Sequence, residues 1–219
     1  FFTKKKYPET NLRTVRVPAK IIVMKASDPI QEESLVSDIS RYANTQNTVR
    51  QSDLSANKPF HIQIEKLSRS VYCPDGVSQW FYERAAGSYN THLAREGTTP
   101  AKLKALKEAI PISRKITKTD LAKYLTAWDG YPDFVSQGAQ KNFTKFMAAL
   151  NPIDGEDRRL PDVAEYKLMI AKAKLYREAQ KLLRPMFPAF QANITAYTVA
   201  LLAKRLGNRI DLNRIWAHQ

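Results

Sequence analysis

The chain has 219 residues, of which 43% are hydrophobic and 26% charged, enough to bury a sizeable core and too apolar for global disorder. Lysine and arginine total 35 against 21 acidic residues, a formal charge of +14, so the long-range field favours polyanions, chiefly DNA or RNA, over acidic-surface repulsion. Cys73 is the single cysteine, which excludes an intrachain disulfide and fits a reducing, cytoplasmic compartment, and no apolar run approaches the roughly 20 residues of a membrane span.

The chain opens on Phe1 without an initiator methionine and with no secretory leader, which fits a piece of a longer protein. Valines and isoleucines from Leu12 to Met24 alternate and then run together, predicting a buried strand with an irregularity at Pro18. Asp28 before Pro29, with Glu32 and Glu33 in the first turn, starts a helix to about Asn44 whose inner face is Leu35, Ile39 and Tyr42. Shorter helical pieces follow at Gln51 to Ala56 and Pro59 to Ser68, although Ile62 and Ile64 also allow a strand. Pro74, Asp75 and Gly76 mark a turn before the aromatic run at Trp80, and a strand or hairpin is expected from Val71 to Tyr89.

Thr98 to Ala109 reads as a lysine-rich helix with Leu103 and Leu106 inward. Thr117 and Asp120 resemble a capping box opening a helix to about Trp128. Helices are then expected at Pro132 to Leu150, Val163 to Leu183 and Phe190 to Leu206, the last ended by Gly207. Gly155, two prolines and mixed charges make Asn151 to Pro161 a boundary or exposed loop. The predicted class is α+β, a small mixed sheet with helices in the front half and a mainly helical back half. The two parts are 1–150, a mixed core, and 151–219, a helical extension or small subdomain.

Seven glycines form neither GxGxxG nor a loop ending in GK[ST], so a backbone phosphate cradle of those kinds is missing. His61, His92 and His218 are dispersed, without a paired metal-ligand spacing. Glu165 and Lys167 spell ExK, but within a predicted helix, whereas a nuclease pair projects from a strand. No cofactor follows from these residues.

Nucleic-acid binding has more material. Trp80, Tyr82, Arg84 and Tyr89 combine rings that stack on bases with a cation that meets phosphate, or else the rings are core. Asn44, Gln46 and Asn47, followed by Asp53, Asn57 and His61, either read base edges or brace a loop. Lys118 and Lys123, with Lys141 and Asn142 on the next helix, form a second polar group. Lys167, Lys174, Arg177, Lys181 and Arg184 make a basic stripe along one helix, able to track phosphates or simply solvated.

Several ordered blocks, VPAKIIVM, the NTQN segment, SDLSANKPFH, WFYER, KTDLAKY and SQGAQKNF, resemble the AIPR family, named for abortive-infection phage resistance. The resemblance covers about Val15 to Met147 and departs at Ala85 to Gly87, where a basic residue is expected beside the glycine. Family members carry an NGxQT-like segment upstream of where this sequence starts, similar to the DGQHR motif of DNA-modification and ParB-like proteins. The resemblance implies a site near Asn44 and a role in bacterial antiphage defence, but no reaction.

The function expected is therefore a nucleic-acid-binding core of a defence protein. The alternatives are a nuclease or nucleotide hydrolase using Asp53, Glu65 or Glu83 with groups from an N-terminal region, and a protein-interaction module sensing a phage component. Expected partners are DNA or RNA and the remainder of a longer chain, with no membrane, and self-association through the helical half is left open.

Overall fold

The structure, a computed structural model, describes residues 9, 11, 13, 16, 55–150 and 160–218. The expected strand to Met24, apart from Arg13 and Arg16, lies outside these residues, as do the helix to Asn44 and residues 51–54. Two compact units divide the chain, Phe1–Ala43 and Asn44–Gln219. In the first, the Asn11 side chain accepts the Arg13 amide at 3.1 Å. All the elements below belong to the second.

Nine α-helices and one two-stranded sheet make up the described residues, an α+β fold that is mainly helical. A 3-10 turn at Ser55–Asn57 leads into α1, Pro59–Ser70, with Pro59 at its first position. His61, Ile64, Leu67 and Ser68 are buried at helical spacing, so the 3.6-residue period prevails over the alternation of Ile62 and Ile64. The turn that follows closes through the Cys73 amide on the Ser78 carbonyl, 2.7 Å. Within it the Asp75 carboxylate accepts the Val77 and Ser78 amides, which holds its pKa down at about 2, the Ser78 side chain contributing most.

Strand β1, Phe81–Glu83, pairs in parallel with β2, Lys115–Thr117, in the register Phe81↔Lys115, Tyr82↔Ile116, Glu83↔Thr117. A strand was expected here, but its partner lies beyond two intervening helices instead of across a hairpin turn. Parallel pairing requires such a crossover. The helices are α2, Ser88–Glu96, entered through Gly87 at φ 80°, and α3, Pro100–Ala109, capped by Thr99. Strand β1 is buried on both sides. Tyr82 and the preceding Trp80 enter the main core, whereas Phe81 packs with Tyr89, Leu93 and Ile110, against which Leu103 and Leu106 rest as expected.

Helix α4, Lys118–Trp128, opens with the predicted box: Thr117 receives the Asp120 amide at 3.1 Å while Asp120 receives the Thr117 amide. The single helix expected at Pro132 to Leu150 is two, α5 Pro132–Ser136 and α6 Ala139–Leu150, because Gly138 takes φ 100°, outside any helix. Helix α7 spans Val163–Leu183 as predicted and is capped reciprocally by Asp162 and Glu165. Helix α8 is Gln191–Leu206 and α9 is Leu212–Ala217. Helix α8 ends at Leu206 with Gly207 as its C-cap, as expected, though the cap is not left-handed: its φ of −50° continues into a 3-10 turn.

The main core joins β1 to the helices after 160. Tyr166, Ile170 and Tyr176 of α7 share a cluster with Leu121 and Tyr124 of α4, Val199 of α8 and Trp216 of α9. Ala127, Ala171, Ala173 and Ala196 are fully buried where the helices meet, and small side chains there permit close backbone approach.

Candidate functional site

Four of the sequence blocks converge around His61 on α1. Its Nδ1 lies 2.6 Å from the Tyr82 hydroxyl of β1, and its Nε2 lies 3.2 Å from the Met147 sulfur of α6. A thioether has no hydrogen to donate, so the Nε2 hydrogen points to sulfur and Nδ1 accepts from Tyr82. The ring is sandwiched by Phe143 and Tyr82 at centroid distances of 5.7 and 6.1 Å, with interplanar angles of 16° and 18°. Burial, aided by the positive charges of Lys118 and Arg84, pushes the imidazole pKa down to about 3, and burial drives the Tyr82 phenol well above its usual range. Both groups are therefore neutral at physiological pH, and neither imidazole nitrogen is left open as a base.

At one edge of this cluster Arg84 gathers the segment before α1. Its Nε donates to Glu65 at 2.6 Å, and Nη1 donates to the Ala56 carbonyl at 3.0 Å and to Asn57 Oδ1 at 2.9 Å. Glu65 also receives Arg69 at 2.8 Å. Lys118 begins α4 and is buried, 5% exposed. Asn142, beside Phe143, is 1% exposed and leaves both amide atoms without a hydrogen-bond partner. Such a group is rare in a folded interior.

The predicted binding residues divide into three sets. Tyr82 bonds His61, and Arg84 and Lys118 lie near enough for their charges to act on its ring, a hub visible in the sequence only as one polar residue in SDLSANKPFH. Trp80 is 5% exposed, and the cation over its ring, 5.3 Å away, is Arg177 of α7 and not Arg84. Tyr89, 4% exposed, belongs to the smaller core and donates its hydroxyl to the Ile110 carbonyl at 2.8 Å. Lys123 lies 5.1 Å from the Tyr124 ring and 5.5 Å from the Tyr176 ring, and 3.6 Å from Asp120. Lys141 stands exposed on α6. Asn44, Gln46 and Asn47 lie outside the described residues.

Carboxylates considered for catalysis have structural partners. Glu83 holds Lys115 at 2.9 Å and accepts the Tyr89 amide at the start of α2. Glu65 is shared by two arginines, and Glu165 caps α7, which accounts for ExK as a helix start. Asp53 lies outside the described residues. Among the described residues no group of three or more His, Cys, Asp and Glu is placed to hold a metal ion, and no helix is long and apolar enough to cross a membrane.

The basic stripe of α7 is only partly free. Arg177 donates to the Tyr124 hydroxyl at 3.1 Å and to the Ser113 carbonyl at 2.5 Å, tying α7 to the approach to β2. Lys174 donates to the His218 carbonyl, and Lys167 lies over Trp216. Lys181 and Arg184 are exposed, with no ion pair among the described residues.

A protein-family model described as AIPR protein matches residues 1–219. No curated protein and no solved structure matches the chain.

Proposed function

Starting from the chain's place in the AIPR family, to which it belongs, we propose that it is the nucleic-acid-binding core of a bacterial antiphage defence protein. The observation that carries this reading is exposed positive charge in excess of the acidic residues. Residues 160–218 hold ten lysines and arginines against four acidic residues. Lys102, Lys104 and Lys107 of α3, Lys141 of α6, Lys181 and Lys204 are exposed and form no ion pair among the described residues. Repulsion among like charges disfavours the compact state, whereas a phosphate backbone relieves it.

In this reading Lys141 and the partly exposed Lys123 meet phosphates. Arg84 and Lys118 act from inside, fixing the segment before α1 and the start of α4. Asn44, Gln46 and Asn47 supply amides to base edges. Trp80, Tyr82 and Tyr89 act as supports for that arrangement, since rings 3–5% exposed offer no face to a base.

The test is fluorescence anisotropy of labelled single-stranded DNA, duplex DNA and RNA titrated with the chain at low and moderate salt. Affinity is expected to fall steeply with salt, with a slope of about −0.7 to −0.9 per phosphate neutralised. Failure to bind all three at low salt overturns the reading.

A further inference from the structure

Between α7 and α8 lies a groove of about 400 Å³ lined by Arg177, Gln180, Lys181, Arg184, Pro185 and Gln191. Arg177 is occupied by its own contacts, but Lys181 and Arg184 are not ion-paired among the described residues. Gln191, the first residue of α8, has a buried Oε1 with no hydrogen-bond partner.

The connection from Pro185 to Gln191, two of the residues that line the groove, is apolar. Pro185 and Pro188 punctuate the connection between the helices and keep it from becoming helix, and the residues among them turn outward. Met186, Phe187 and Phe190 are 67%, 41% and 67% exposed. Leaving such side chains in water forgoes the gain of burying them, so neighbouring phenylalanines exposed together mark a surface with an occupant.

We infer that this groove and the adjoining connection from Pro185 to Gln191 bind a single-stranded nucleic acid, an inference that rests on the nucleic-acid reading above and gives it a place. Lys181 and Arg184 meet backbone phosphates, and Phe187 and Phe190 present faces on which bases stack. Gln191 Oε1 is an acceptor, and a phosphodiester has no hydrogen to offer it. The amino and imino groups of unpaired bases do. A duplex keeps its bases stacked inside and would engage the cations alone. A flat anionic lipid surface would meet the rings at the turn but leave the acceptor within the groove unused.

The experiment compares the full chain with Phe187→Ala/Phe190→Ala and with Lys181→Glu/Arg184→Glu. The probes are a labelled mixed-sequence single strand, its duplex, and phosphatidylserine vesicles. All four positions are exposed, and a urea midpoint within error of the parent confirms that each variant is folded. Loss of both rings is expected to weaken single-strand binding at least about tenfold, since each lost ring removes a stacked base, while duplex binding changes less than about twofold. Charge reversal is expected to weaken both. Parent-like single-strand binding by both variants overturns the inference and leaves the general reading standing. No nucleic-acid binding by the parent overturns both. Ring-dependent association with vesicles but not with the single strand would reassign the surface to lipid.

Discussion

His61 and Tyr82, 21 residues apart in sequence, share a 2.6 Å hydrogen bond that is fully buried on both sides and ties α1 to β1. Its energetics run one way with pH. The imidazole pKa falls from 6.5 in the unfolded chain to about 3 in the fold, so between these values the unfolded state binds more protons. The stability contributed by neutral His61 is whole above pH 6.5 and is withdrawn as pH drops toward 3, at up to about 1.4 kcal/mol per unit. Urea midpoints of the parent and His61→Gln should therefore converge on acidification from pH 7 to 4; parallel curves would contradict a buried neutral imidazole.

Arg84→Ala removes a charged hydrogen bond to Glu65 and two further bonds to Ala56 and Asn57. A loss of about 2–3 kcal/mol is expected from urea unfolding, and Arg84→Lys should recover only part of it because an ammonium cannot reproduce the guanidinium fork. Full recovery by lysine would reduce the contact to charge alone.

Asn142→Leu should raise the unfolding free energy measured in urea by about 1 kcal/mol, since it replaces an unpartnered buried amide with an apolar side chain of similar size. If the same variant also loses binding, Asn142 is retained at a cost to stability for its role with a ligand. A destabilised variant would instead mean that the amide is satisfied in solution.

Two glycines with open space where a Cβ would stand should respond oppositely to alanine. Gly138, at φ 100°, is expected to lose about 1–2 kcal/mol on Gly138→Ala through backbone strain. Gly207, at φ −50°, is expected to gain several tenths of a kcal/mol by stiffening the unfolded chain. Thermal melts of the two variants moving in the same direction would refute this account.

Cys73 is 3% exposed, and burial raises its thiol pKa. The native protein should be inert to a disulfide-exchange reagent at pH 8 and react with one equivalent in denaturant. Rapid native labelling would show that the turn at Pro74–Gly76 opens readily.

Local chemistry was the legible part of this fold. The Thr117 and Asp120 box and the full extent of Val163–Leu183 could be read because caps and periodicity act over a few residues. The partner of β1 could not, since Lys115–Thr117 is three residues long, too short to display a period. Trp80, Tyr82 and Tyr89 looked like a platform because alternation separates the two faces of a strand without saying whether both are covered, and here both are. Tyr89 also follows the strand into a helix through Gly87, a change of direction the aromatic run conceals. Conversely, Phe190 was expected to begin a helix, and the structure places it in the turn before Gln191, with Phe187 beside it and both rings exposed.

Strand β1 also partitions the described residues of the second unit, with the large cluster behind Tyr82 and the small one behind Phe81. Helices α2 and α3 rest on that small cluster, whose buried members are four, while the remaining helices share the larger one. The two sides consequently have unequal local free energies of opening: the α2 and α3 pair can unfold as one unit while the rest stays native. Deuterium uptake should then proceed in two stages, early at Ser88–Ala109 and late at Tyr82, Tyr124 and Tyr176, with the strand itself the line at which protection changes.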